Sequence, residues 1–261
     1  MTRLLVAALS GLLVLSACSS SSAPPQVNRS SPEPTPAAAD KRSALRLRLA
    51  TQYLEARQYP VALTEVEQAI SIDRSNVDAY NVRALIYMGM NQNAQAEDSF
   101  RTALNMRPND PDVLNNYGSL LCQTNRYADA KAMLERAVQV PSPNGPVKPL
   151  TNLGNCDLRN GNLAAAEKNL QTAYGYDRND PSVLMNLAQL YFKRGDMGQA
   201  RQYAGRINGS QFVSAQSLWL GARIAHRQGD AQAQGALVSE LRSRFPDSRE
   251  LTAYERGAWD E

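Results

Sequence analysis

The stretch VDAYNVRALIYMGMNQNAQAEDSFRTALNMRPND, residues 77–110, runs directly into PDVLNNYGSLLCQTNRYADAKAMLERAVQVPSPN, residues 111–144, and the two fall into register at an offset of 34. Small residues coincide at position 8 (Ala84, Gly118), position 20 (Ala96, Ala130) and position 27 (Ala103, Ala137). Larger apolar residues fill position 11 (Tyr87, Leu121) and position 24 (Phe100, Leu134). Spacings of three and four place each set on one face of a helix. Between the sets stand Asn91 and Asn125, a residue type that tolerates the left-handed backbone at a helix C-terminus. Each block therefore predicts two helices joined by a tight turn.

Extending the register in both directions yields six blocks, 43–76, 77–110, 111–144, 147–180, 181–214 and 215–248, with one slip at Gly145 and Pro146. Position 8 is then Ala50, Ala84, Gly118, Gly154, Ala188 and Ala222. A period of this length with this pattern is the signature of the tetratricopeptide (TPR) repeat. The expected fold is all-α, a right-handed superhelical solenoid of about six TPR helix-turn-helix repeats over residues 40–248. Gly198, Gly205, Asn208 and Gly209 predict a short or bent second helix in repeat 5, since interior glycines disfavour helix. Residues 249–261 are expected to form a capping helix with Leu251, Tyr254 and Trp259 on its inner face.

Ahead of the repeats, Arg3 followed by the apolar run Leu4 to Leu15 has the form of a secretory signal, too short to span a bilayer. It ends in Leu15-Ser16-Ala17-Cys18, which resembles the bacterial lipobox. That resemblance implies a signal peptide over residues 1–17, lipidation of Cys18 and, with Ser19 following, a lipid anchor in the outer membrane facing the periplasm. Residues 18–39 are rich in Ser and Pro with a single bulky apolar residue, Val27. Such a segment cannot bury enough surface to offset ordering entropy and reads as a tether.

The composition restricts the chemistry. A net charge of +3 is spread along the chain and a single histidine, His226, has no cysteine or acid at ligand spacing. No nucleic-acid partner, small-molecule substrate, cofactor or metal site is expected, and no catalytic residue can be nominated. Glycine-rich phosphate loops and GxSxG are absent from the sequence. Cys122 and Cys156 remain after lipidation, on the first helices of consecutive repeats. In an oxidising periplasm they are expected to form a disulfide; the alternative is two separate buried thiols.

The function is expected in the concave groove lined by the first helices. Mapped onto TPR arrays, its lining residues are Leu45, Leu47 and Leu54 in repeat 1, Asn81 and Met88 in repeat 2, and Asn115 and Ser119 in repeat 3. Asn155 and Leu158, Met185 and Phe192, and Trp219 continue it through repeats 4, 5 and 6. Amides suit a peptide backbone, while Met, Phe and Trp supply soft apolar contact. Leu45 stands where a preceding repeat would pack and has none, so either a partner or the chain's own N-terminal segment is expected to cover it.

The combination of lipobox, Ser/Pro tether, six repeats and a cysteine pair resembles the PilF/PilW family of type IV pilus biogenesis lipoproteins, the secretin pilotins. NNYGSLLCQTNRYADA (115–130) and NLGNCDLRNGNLAAAE (152–167) look like that family's third and fourth repeats. The resemblance implies that the chain accompanies outer-membrane secretin subunits and promotes their multimerisation. The alternative is a TPR scaffold lipoprotein serving outer-membrane protein assembly or a peptidoglycan synthase.

Overall fold

The structure is a computed structural model that describes residues 36–143 and 145–259, so residues 1–17, Cys18 and most of the tether lie outside the described residues. Among the described residues there are thirteen helices and no strand. Six pairs succeed one another: α1 (Pro36–Glu55) with α2 (Tyr59–Ile72), α3 (Val77–Gly89) with α4 (Asn93–Met106), and α5 (Pro111–Gln123) with α6 (Tyr127–Gln139). The second three are α7 (Val147–Arg159) with α8 (Leu163–Tyr176), α9 (Pro181–Arg194) with α10 (Met197–Asn208), and α11 (Ala215–Gln228) with α12 (Ala231–Arg244). The chain closes with α13 (Arg249–Glu255). It is an all-α solenoid of TPR repeats.

Two boundaries differ from expectation. Helix α1 begins at Pro36, so residues 36–39, assigned above to the tether, are helical. Proline suits the first helical position and three alanines follow it. Helix α13 ends at Glu255 rather than running toward residue 261, because Gly257 adopts a positive φ of 71° and turns the chain back. Helix α10, at 12 residues, is the shortest second helix.

Alanine sets how closely the helices of a repeat cross. Ala62, Ala96, Ala130, Ala166 and Ala200 at position 20 are fully buried. Positions 8 and 24 share one space between them. Repeats 1 and 6 fill it with Ala50 and Val66 or Ala222 and Val238, whereas repeats 3 and 4 use Gly118 with Leu134 and Gly154 with Leu170. A Cβ on Gly118 would sit 2.6 Å from Leu134 Cγ, and one on Gly154 2.5 Å from Leu170 Cγ. The glycines are thus the complement of the leucines.

The turns repeat as faithfully as the core. Arg57, Asn91, Asn125, Gly161, Gly195 and Gly229 all take positive φ between the helices of a repeat, from 57° to 87°. Arg57 does so without asparagine's or glycine's tolerance and was not identifiable from residue type. Between repeats, Asn76, Asp110, Asp180, Ser214 and Ser248 cap α3, α5, α9, α11 and α13 by accepting first-turn N–H groups. Pro146, at the slip before α7, makes no side-chain cap. Each first helix packs its backbone close against the next first helix, from α1–α3 through α11–α13, whereas among the described residues second helices meet only through long side chains, as where Gln171 of α8 donates to the Tyr203 hydroxyl of α10 at 3.2 Å. The first helices therefore form the inner, more closely spaced row of a curved stack. Helix α13 takes the place of the next first helix after α11 and covers the core of repeat 6, with Leu251 buried at 5% exposure.

Candidate functional site

At the N-terminal end, Leu47 and Leu54 are half-buried against the cluster of Ala50, Ala62 and Val66, and Leu45 is 51% exposed. Helix α1 is held in place from its other side: Ser43 Oγ donates to the Ala69 carbonyl at 3.1 Å, and Arg46 pairs with Glu65 at 2.8 Å. The leucines therefore sit on a fixed support.

In the middle of the inner row the amides have another use than the one expected. Asn116 Nδ2 donates to Asn81 Oδ1 at 3.1 Å, Asn115 Nδ2 to Asn116 Oδ1 at 3.3 Å, and Asn152 Nδ2 to Asn115 Oδ1 at 2.8 Å. This ladder ties repeats 2, 3 and 4 together, and Asn115 is buried at 8% exposure. The expectation that Asn115 is offered to a ligand backbone is corrected accordingly: a buried amide is stable only when satisfied, and the neighbouring side chains satisfy this one, whereas Asn81 is half-buried and uses its Oδ1 in the ladder. Ser119 Oγ likewise donates to the Asn115 carbonyl at 2.9 Å, Leu158 is buried, and Met88 is half-buried in the core between repeats 2 and 3. Asn155 remains exposed.

The C-terminal end departs furthest from its sequence reading. Trp219, expected in the open groove, is buried at 7% exposure beneath Tyr254 and Trp259, whose rings lie 6.4 and 5.1 Å away. Trp259 is placed by the turn at Gly257, not by a helix. Its ring stacks on His226 at 4.0 Å and 10°, and its carbonyl accepts from Arg223 Nε at 2.8 Å. His226 is exposed as expected, yet it clasps the C-terminal segment. Phe192 is also buried, at 6%, with the guanidinium carbons of Arg223 and Arg227 over its ring at 4.9 and 4.2 Å. Beside it opens a cavity of about 640 Å³ that Met185, Gln189, Lys193 and Glu250 also line.

The cysteine side chains project from α5 and α7 toward each other. The sulfurs of Cys122 and Cys156 meet, with Cα atoms 5.6 Å apart, inside the usual separation for a disulfide. The carboxylates of Glu97, Glu167 and Asp230, all shifted down, belong to ties between repeats. Burial pushes the Glu97 carboxyl up, but hydrogen bonds from Arg126 and Tyr117 and the charges of Arg101 and Arg126 outweigh it and hold it below the ordinary 4.5. The Arg194 guanidinium and the Tyr191 hydroxyl hold Glu167 below 4.5 in the same way, at 2.8 and 2.9 Å. Among the described residues no group of His, Cys, Asp and Glu is placed to hold a metal, and no helix is long and apolar enough to cross a membrane.

An inner wall of packed, mutually bonded side chains with apolar and basic ends defines a repeat scaffold that binds protein partners. Residues 87–140 and 157–216 match the tetratricopeptide repeat family. The solved structure of PilW, described as a widely conserved type IV pilus biogenesis factor, is 32% identical with a TM-score of 0.71, covering 81% of this chain and 97% of that one. The structure of Pseudomonas aeruginosa PilF is 27% identical with a TM-score of 0.68, covering 84% and 99%. The sequence of the type IV pilus assembly protein PilF from the same organism is 28% identical over 209 residues, 80% of this chain and 83% of the relative. The chain belongs to the PilF/PilW family of type IV pilus TPR proteins, and no enzyme family is indicated.

Proposed function

We propose that this chain is a lipid-anchored outer-membrane protein that binds secretin subunits of the type IV pilus system and promotes their localisation and multimerisation. The observation that carries the reading is its near full-length kinship with PilW and PilF. The Leu-Ser-Ala-Cys18 sequence supports the anchor. Each buried acyl methylene contributes about 0.8 kcal/mol, so two or three chains on Cys18 hold the protein where one would not. The tether sets the solenoid off the membrane on its periplasmic side, where Cys122 and Cys156 are oxidised to a disulfide. The apolar ledge of Leu45, Leu47 and Leu54 is the secretin contact.

Replacement of Cys18 by Ser tests the anchor and the pilotin role together. Heat-resistant secretin multimers and twitching motility should be lost, and normal multimers in the variant overturn the reading. Leu47→Glu and Leu54→Glu should each weaken secretin recovery with the helical content retained. Unchanged multimerisation in both removes the repeat-1 ledge as the contact. General envelope defects with intact pili would instead assign the protein to outer-membrane protein or cell-wall assembly.

A further inference from the structure

The junctions between repeats are not filled alike on the outer side. Tyr191 of α9 reaches out between α8 and α10, where its ring lies parallel to that of Tyr203 at 5.7 Å. Its hydroxyl donates to Glu167 Oε1 at 2.9 Å and accepts from Gln171 Nε2 at 3.1 Å. Tyr117 of α5 serves an earlier junction in the same manner, its hydroxyl donating to Glu97 Oε1 at 2.8 Å. One repeat after Tyr191 every member of this arrangement is exchanged. The register of 34 puts Ala225 in the place of Tyr191, Gly205 in that of Gln171, Arg201 in that of Glu167 and Leu237 in that of Tyr203.

All four exchanged residues line one cavity of about 130 Å³ that α10, α11 and α12 enclose. Ala204, Ile224, Ala225 and Leu237 make its walls apolar, and its mouth lies beside the exposed Arg201, Gly205 and Gln228. Arg201 is occupied elsewhere, bonded to Asp230 at 2.9 Å and to Gln228 Oε1 at 3.2 Å. Asn208 supplies the polar wall. Its Nδ2 donates to the Ser217 carbonyl at 3.2 Å, and Gly221 leaves room for the amide, since a Cβ there would lie 2.8 Å from Nδ2. Asn208 Oδ1 is buried and, among the described residues, is the one buried side-chain oxygen or nitrogen without a hydrogen-bond partner. Buried acceptors are stable when a donor meets them, so this atom asks for one from outside the chain.

The geometry points to a binding site for a phenolic ring. The ring lies on Ile224, Ala225 and Leu237, as the Tyr191 ring lies between α8 and α10, and its hydroxyl donates to Asn208 Oδ1. Apolar cavities of roughly 150 Å³ accept benzene, so the volume suits a single ring, and the open mouth leaves whatever carries the ring in solvent. A tyrosine side chain of a protein partner and a free small phenol offer the same chemistry. The site is on the outer side of repeats 5 and 6, away from the Leu45 ledge, and stands independently of the secretin reading.

The test is methyl NMR of the full chain in detergent micelles, following Ile224, Ala225 and Leu237 during titration with p-cresol, the side chain of tyrosine, and with toluene, the side chain of phenylalanine. p-Cresol should shift these methyls saturably and bind about threefold or more tightly than toluene, the order that one net hydrogen bond contributes. Asn208→Leu, which keeps the branching and removes the acceptor, should erase that preference. Ala225→Tyr supplies the ring from within the chain and should weaken p-cresol binding about tenfold or more, because a close-packed interior has no second place for a ring. Gly205→Leu, at a position where a Cβ meets nothing within 4 Å, covers the mouth and should also weaken binding; it serves where circular dichroism finds Ala225→Tyr misfolded. The capped peptide GGYGG separates the sources: binding comparable to that of p-cresol assigns the site to a protein tyrosine, and binding of p-cresol alone assigns it to a small phenol. Absence of saturable shifts, equal binding of p-cresol and toluene, or p-cresol binding unchanged in the folded variants overturns the proposal.

Discussion

Gly118 and Leu134 share one packing space, and exchanging atoms between them tests how the repeat core is specified. In Gly118→Ala the new Cβ would meet Leu134 Cγ at 2.6 Å, Cδ2 at 2.9 Å and the Ala130 carbonyl oxygen at 3.3 Å. Leu134 is fully buried and Ala130 O is backbone, so neither can swing aside. Overpacking of this kind costs about 1–3 kcal/mol. Alanine recovers about 1 kcal/mol of helix propensity over glycine, leaving a net loss of about 1 kcal/mol. Leu134→Val alone removes buried apolar volume and should cost about 1 kcal/mol, the scale of a single lost methylene. Combined, the two recreate the Ala and Val pairing that repeat 1 builds from Ala50 and Val66 and repeat 6 from Ala222 and Val238. The clash disappears while the propensity gain stays, so the double variant should lie near the parent, with a favourable coupling of about 1–2 kcal/mol. Urea unfolding of the four proteins followed by far-UV circular dichroism measures this directly. Effects that add to within about 0.5 kcal/mol would show that the glycine and the leucine do not compensate each other, and would refute the reasoning.

Arg57 holds φ of 57° without glycine's freedom, so Arg57→Gly should stabilise by about 1 kcal/mol, raising Tm by about 2–4 °C in a domain of this size; an unchanged or lower Tm would mean that no strain is held there. Replacing Cys122 and Cys156 together by Ser should lower Tm by several degrees, since a bond closing a loop between residues 34 apart contributes about 3–4 kcal/mol in the chain-entropy view; an unaltered Tm would mean separate thiols. Glu167 ionises more readily folded than unfolded because Arg194 and Tyr191 bond its carboxylate, so its contribution is complete above its ordinary pKa of 4.5 and fades as pH falls through the lower folded value. Glu167→Gln should accordingly flatten the acid limb of a Tm-against-pH profile below about pH 4.5, and an identical profile would remove this tie from the acid response.

The helices, their order and the small-residue crossings were legible in the chain because each depends on neighbours three or four places away in the same segment. Thus α3, α5, α7, α9 and α11 begin at Val77, Pro111, Val147, Pro181 and Ala215, where the repeat pattern changes. The turn residues from Asn91 to Gly229 were legible for the same reason. Arg57 was not, because its place in the register, rather than its chemistry, sets its φ. The beginning of α1 was obscured by the prolines before it, although Pro36 itself starts a helix well.

The candidate site divides along the same line. Sequence by itself determined that the inner row would carry Leu47, Leu54, Asn81, Asn115, Met185, Phe192 and Trp219, because helical phase assigns a residue to a face. Tertiary structure alone decided what each faces there. The rotation between successive repeats brings Asn116 onto Asn81, Asn152 onto Asn115, and Cys122 onto Cys156, although the cysteines occupy different positions in their repeats. Gly257 returns the chain so that Trp259 covers Trp219 and meets His226. Phase along a helix is a local property repeated every few residues, whereas the meeting of two first helices depends on crossing angles summed over whole repeats, and no periodicity within one segment encodes that sum.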